Sequence, residues 1–203
     1  ACAQQRGNNA LPQKDNRRKK LALRIGIALV LLLAAVIIAM LLNRRAEEAT
    51  YRLDYPELIS QYAGEYDLDP YLVAAVIHVE SGNRETVISA RGAVGLMQVM
   101  PSTGEWIAGK LDETYTEGCL FDPETNIRYG CWYLGFLMRR YDGDMRCSSS
   151  AYHAGQGTVD KWLADPNYSS DGKTLDVIGY DSTNSYVNRV LRYYEKYEEI
   201  YAS

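Results

Sequence analysis

The sequence predicts an all-α domain carried behind a single membrane-spanning helix. Three observations lead there. An uncharged run of 18 residues, Ile25 to Leu42, lies near the start of the chain. Beyond it, apolar residues recur at helical spacing and strand alternation is nowhere sustained. Aspartates followed closely by proline, and glycines behind apolar runs, stand where helices open and close.

The first element is the apolar run itself. At ~1.5 Å per residue it would be about 27 Å long, just short of the ~30 Å hydrocarbon core of a bilayer. Arg24 and Asn43 can cover the shortfall by snorkelling. A cleaved signal peptide would have a shorter apolar region and a small-residue cleavage site, whereas this run ends Leu-Leu-Asn-Arg-Arg. A core helix would carry a polar stripe, and none is present.

Charge divides the chain at the same place. Residues 1–45 hold nine Lys and Arg against one acid, a net of +8, and residues 46–203 hold 13 bases against 25 acids, a net of −12. The positive-inside bias puts residues 1–23, a basic tail, in the cytoplasm, with residues 1–20 polar and expected to be disordered. Residues 24–43 then span the membrane, 44–54 form a linker, and 55–203 form one outer domain. With 203 residues, 47% of them hydrophobic, the chain has room for one good core and an appendage. A net charge of −4 and a pI near 5.3 argue against a nucleic-acid partner.

Within the outer domain, Asp54 and Pro56 open one helix, and Asp69 with Pro70 opens the next. The latter, PYLVAAVIHVESG, is apolar nearly all round and so central, and Gly82 ends it. Ser102 and Glu105 form a capping box for a short helix to about Leu111. Asp122-Pro123 starts another, to about Tyr141. Arg146 to Ala154 and Thr158 to Leu163 follow, and the last helix runs from about Thr183 to Tyr201.

Cys2 falls on the cytoplasmic side, leaving Cys119, Cys131 and Cys147 outside, so at most one internal bridge can form. With two histidines, His78 and His153, and no CxxC, the sequence offers no metal site and no cofactor motif. The stretch from Asp165 to Asp176 has Ser170 where a calcium loop needs glycine.

Glu80 is the first candidate for chemistry. It ends a helix among Val76, Ile77 and Val79. Apolar burial and the negative end of the helix dipole both raise a carboxyl pKa, as proton donation near neutrality requires. The residues alone leave open an ordinary solvated Glu in a last helical turn. Downstream, Gly92, Gly95 and Pro101 permit a tight loop that returns Gln98 and Met100 towards Glu80. Met97 and Met100 read as core filler, and Gln98 as an orienting hydrogen-bonder. His78 is turned about 200° from Glu80 around the helix and is read as structural.

Five blocks then occur in order: Glu80-Ser81-Gly82, GLMQVMP at 95–101, LFDPETNIRYG at 120–130, Ala-Tyr-His-Ala-Gly at 151–155, and Tyr186-Val187. Together they resemble the lytic transglycosylases of the soluble type, glycoside hydrolase family 23, related in fold to goose-type lysozyme. The resemblance covers roughly Tyr55 to Tyr197. It implies a lysozyme-like fold and an enzyme that acts on peptidoglycan glycan strands without a cofactor or metal.

In that family Glu80 would correspond to the single catalytic acid. It would protonate the oxygen between N-acetylmuramic acid and N-acetylglucosamine, then take the proton of the muramoyl 6-hydroxyl as that oxygen closes on C1. Ser89 matches a serine near the acid, and Gln98 and Met100 match the groove lining. Tyr152 and Tyr186 match tyrosines that flank the scissile sugar and position the acid. No motif supplies the second carboxylate that a retaining hydrolase uses as nucleophile. Two positions depart from the pattern: His153 replaces the usual Asn, and Ser182 the usual Glu. Two alternatives stay open: a muramidase using water, and a weakly active wall-binding component of a secretion, conjugation or spore-assembly complex.

Overall fold

A computed structural model describes residues 13–202, and these form eight α-helices and one 3-10 turn. Residues 1–12, with Cys2 and part of the basic tail, lie outside the described residues, as does Ser203. The chain divides into two units, residues 1–50 and 51–203.

The first unit contributes α1, Gln13–Thr50. Among the described residues it is the one helix long and apolar enough to cross a membrane. Its leucines, valines and isoleucines from Leu21 to Leu42 are exposed. The helix runs on through residues 44–50, which the sequence reading assigns to a linker. The reason is local. Ala46, Glu47, Glu48 and Ala49 are good helix formers. Arg44 pairs with Glu48 one turn later at 3.1 Å, and the Thr50 hydroxyl donates back to the Ala46 carbonyl.

The second unit holds α2 (Pro56–Glu65), α3 (Pro70–Ser81), α4 (Pro101–Lys110), α5 (Pro123–Arg140), α6 (Met145–Ala154), α7 (Gln156–Leu163) and α8 (Asp181–Tyr201). A 3-10 turn at Cys119–Phe121, absent from the sequence reading, leads into α5. The caps explain the boundaries. Asp69, Asp122 and Asp144 accept the N–H groups of Tyr71, Thr125 and Cys147, satisfying donors that helix starts leave bare. Gly82 closes α3 at φ 60°, a conformation glycine adopts without strain.

Two expected starts differ. Asp54 does not cap α2; it pairs with Arg52, and Tyr55 in the left-handed region turns the chain into the helix. The capping box of Ser102 and Glu105 does not form. Pro101 already occupies the first turn, so α4 starts from Met100 and Ser102 lies inside the helix.

α3 is central. Leu72 to Ile77 are each at most 2% exposed. Burying each Leu, Val or Ile there contributes roughly 1.5–3 kcal/mol. The helix packs between α8 and α2, while α6 packs on α5, α7 and α8. This architecture brings the end of α3 and the middle of α8 together. Cys131 and Cys147 are buried free thiols and Cys119 is a half-buried one, so the described residues contain no disulfide.

Candidate active site

The site begins where α3 runs out. Glu80 is partly buried in the last turn of that apolar helix, and its Oε1 accepts a hydrogen bond from the Tyr186 hydroxyl at 2.8 Å. Tyr186 is only 2% exposed, so this bond is made away from bulk water. Burial pushes the Glu80 carboxyl up to about 7, against the opposing pull of the Tyr186 bond and the Arg189 charge. Desolvation outweighs both, so the group exchanges its proton near neutrality. Tyr186 and Arg189 lie one turn apart on α8 and are the groups that act on it; no second carboxylate does so among the described residues.

Across from this pair, the loop of residues 87–100 folds around one buried side chain of α5. The Asn126 Oδ1 accepts from the Met97 N–H at 2.8 Å, and its Nδ2 donates to the carbonyls of Val94 and Leu120 at 2.8 and 2.7 Å. Gly95 takes φ 78°, and a β-carbon there would stand 2.2 Å from the Asn126 amide, so only glycine fits. Met97 in turn lies over Gly130 and is fully buried. Its carbonyl accepts from the Tyr152 hydroxyl at 2.8 Å, which ties the loop to α6.

A groove of about 280 Å³ opens between the loop and α6, lined by Gln98, Met100, Thr103, Tyr133, Tyr152 and His153. His153 stacks on the Tyr186 ring at 4.7 Å, and its Nδ1 lies 3.0 Å from the Thr183 hydroxyl. The imidazole therefore covers the tyrosine that holds Glu80. Burial, then the charges of Arg91 and Arg189, lowers the His153 pKa. A larger cavity of about 710 Å³ lies at the other end of α6, near Arg140, Asp144 and Lys173. None of Glu80, Ser89, Gln98, Met100, Tyr152 and Tyr186 lines it, and Arg140 and Asp160 in its wall already pair at 2.6 Å.

This is a carboxyl of raised pKa held by a tyrosine beside an aromatic-lined groove. The family model described as Transglycosylase SLT domain matches residues 57–174. The chain belongs to that family. The soluble lytic murein transglycosylase of Escherichia coli K12 is 32% identical over 149 residues, covering 72% of this chain and 23% of that protein. A membrane-bound lytic murein transglycosylase C of Histophilus somni is 35% identical over 61% of this chain and 36% of its own length. The solved 70-kDa soluble lytic transglycosylase of E. coli aligns with a TM-score of 0.68 at 29% identity, over 75% of this chain and 25% of that one. The complex of the 70-kDa soluble lytic transglycosylase with bulgecin A gives 0.70 at 28% identity, over 77% and 26%. The chain thus spans about a quarter of the length of the soluble relatives. The all-α, lysozyme-like fold expected from sequence holds for this SLT domain.

The structure brings the sequence-predicted residues together unequally. Glu80 and Tyr186 are in direct contact, while Gln98, Met100 and Tyr152 line one groove. Tyr152 spends its hydroxyl on the Met97 carbonyl and offers the groove its ring. Gln98, at φ 49°, donates Nε2 to the Val87 and Gly95 carbonyls, so it braces the loop it lines. The Ser89 hydroxyl accepts from the Ala93 N–H and closes the turn at 89–93. His78 stands among Tyr51, Tyr193 and Tyr197, in keeping with a structural role. Ser182 is exposed in the first turn of α8.

Sequence reasoning missed Asn126, Tyr133 and Arg189. Arg189 was findable, since it follows Tyr186 at the i+3 spacing that places both on one helix face. A direct check of the Glu80–Tyr186 bond is available. Tyr186→Phe removes a donor that favours the ionised form, so the Glu80 midpoint is expected to rise by about one pH unit. Carboxyl NMR titration reads it; an unmoved midpoint would mean that the bond is not felt.

Proposed function

We propose that this chain is a peptidoglycan lytic transglycosylase, with residues 55–203 as its catalytic domain and α1 as its membrane anchor. The observation that carries the reading is the Glu80 carboxyl, pushed up to about 7 by burial and held by Tyr186, whose ring is stacked against His153 of the groove wall. In its neutral form Glu80 donates its proton to the glycosidic oxygen as the bond from C1 of N-acetylmuramic acid breaks. The departing N-acetylglucosamine leaves as a free alcohol. The resulting carboxylate then takes the proton of the muramoyl 6-hydroxyl while that oxygen bonds to C1. A 1,6-anhydro ring forms, Glu80 is neutral again, and no water is added.

Among the described residues Tyr186 and Arg189, and no carboxylate, act on Glu80, which supports this over a retaining hydrolase with its protein nucleophile ~5 Å from the acid. An internal hydroxyl already held against C1 gains effective molarity instead. Purified sacculi digested by the full chain in detergent are expected to release muropeptides lighter by one water than their hydrated forms, as read by mass spectrometry. Hydrated reducing ends would instead identify a muramidase, and the absence of any release would favour a wall-binding role.

The charge asymmetry supports a cytoplasmic N-terminus and an outer residues 51–203, on the positive-inside bias. Protease added to spheroplasts is expected to degrade the outer unit and spare α1. Protection of the outer unit would reverse the topology.

A further inference from the structure

The groove does not end at Tyr133. That ring lies 5.5 Å from Tyr152 inside the groove and also 6.3 Å from Phe136 at an interplanar angle of 12°. Phe136 lies parallel to Trp132, 5.7 Å away and tilted by only 4°. Trp106 of α4 stands on edge to all three, at 5.1 Å from Trp132, 5.5 Å from Phe136 and 6.3 Å from Tyr133. The one-turn spacing of Trp132 and Phe136 puts them on one face of α5, and Trp106 comes from the helix packed against it.

None of these rings belongs to the closed core. Trp106 is 37% exposed, and Trp132, Tyr133 and Phe136 are half-buried. Packing between α4 and α5 accounts for the buried parts of these rings and leaves part of each accessible, in a chain of ring contacts that begins at Tyr133 in the groove wall. Flat rings of this kind offer an apolar face to the C–H side of a sugar, and tryptophan adds an N–H for its hydroxyls. Because Tyr133 belongs to both groove and surface, the occupant most directly indicated is the molecule that already fills the groove.

We infer that Trp106, Trp132 and Phe136 extend the groove into an aromatic binding stretch, which takes further sugar rings of the glycan strand bound at Glu80. This rests on the glycan reading above. Its consequence is a preference for long strands, exerted through binding and not through chemistry. Short fragments that fill only the groove would not feel it.

The test uses the full chain in lipid nanodiscs with Glu80→Gln, so that bound strands persist. Peptide-stripped peptidoglycan glycans from disaccharide to octasaccharide are titrated against it. Affinity is expected to rise with length. Adding Trp106→Ala should lower octasaccharide affinity about tenfold and leave the disaccharide unchanged. Trp106→Phe, which keeps a flat face, should recover most of the loss, and matching thermal melts would show that each variant is folded. Affinity independent of length, or equal losses for short and long strands, would overturn the extension alone. Failure of every strand to bind would overturn the glycan reading along with it.

Discussion

Glu80→Gln is expected to abolish release of anhydro products while making the chain more stable above pH 7. The two effects share one cause. General acid–base catalysis contributes roughly 10²- to 10⁴-fold, and here one residue serves as both acid and base, so a loss at the upper end is expected. The stability gain follows from proton binding. The folded carboxyl holds its proton to about pH 7, whereas the reference value is 4.5. Between those values the folded state binds more protons than the unfolded chain, so stability falls as pH rises through the window. Above it the full cost of a desolvated carboxylate remains, on the order of 3 kcal/mol at 1.36 kcal/mol per pH unit. Glutamine never ionises and escapes that cost. Thermal unfolding of the two proteins should differ at pH 8 and converge towards pH 4.5. All three tryptophans lie in residues 51–203, so their fluorescence reports on the unit that carries the site. A variant no more stable at pH 8 would show that Glu80 is not desolvated, and one that still releases anhydro ends would show that Glu80 is not the acid.

Such a trade between stability and function is the mark of a side chain placed against the local rule, and this is why Glu80 was legible in the sequence. A carboxyl at the end of PYLVAAVIHVES breaks the apolar pattern that precedes it, and the pattern alone says that the helix is buried. Two helix starts were equally legible where an aspartate caps, Asp69 and Asp122 each holding a backbone donor in place, whereas Asp54, read the same way, pairs with Arg52 instead. Where caps were read from spacing alone, the reading failed. Ser102 and Glu105 have the capping-box interval, yet Pro101 takes the first turn and the helix starts from Met100, ahead of Ser102. The linker failed in the opposite sense, because composition marked a boundary in charge at Arg44 while the backbone had no reason to stop being helical before Thr50. The hydroxyls of Ser89 and Tyr152 are spent on backbone groups, one within its own turn and one across the fold. A hydroxyl that answers a backbone group in its own turn or across the groove leaves no periodic trace.

Asn126 is the extreme case of that blindness, and its loss is the second large effect expected. Nothing in its local sequence distinguishes it from a helix-surface asparagine one turn after a cap. In the fold it is 1% exposed and satisfies three backbone groups, on Met97, Val94 and Leu120. Asn126→Ala would strand the buried Met97 N–H and the buried Leu120 carbonyl, and would leave the Val94 carbonyl with the Val99 N–H as its remaining donor. At roughly 1–3 kcal/mol for each stranded group, a destabilisation of about 3–5 kcal/mol is expected, near the top of the range for single substitutions. Asn126→Asp should do no better, since it can still accept from Met97 but turns an acceptor towards the Val94 and Leu120 carbonyls. Chemical denaturation followed by tryptophan fluorescence reads both. Activity should fall further than stability predicts. Met97 is gripped from the other side by Tyr152, and the residues that follow it, Gln98 and Met100, form the groove wall. Should either variant retain wild-type stability, the loop must have another anchor, and the groove would not owe its shape to α5.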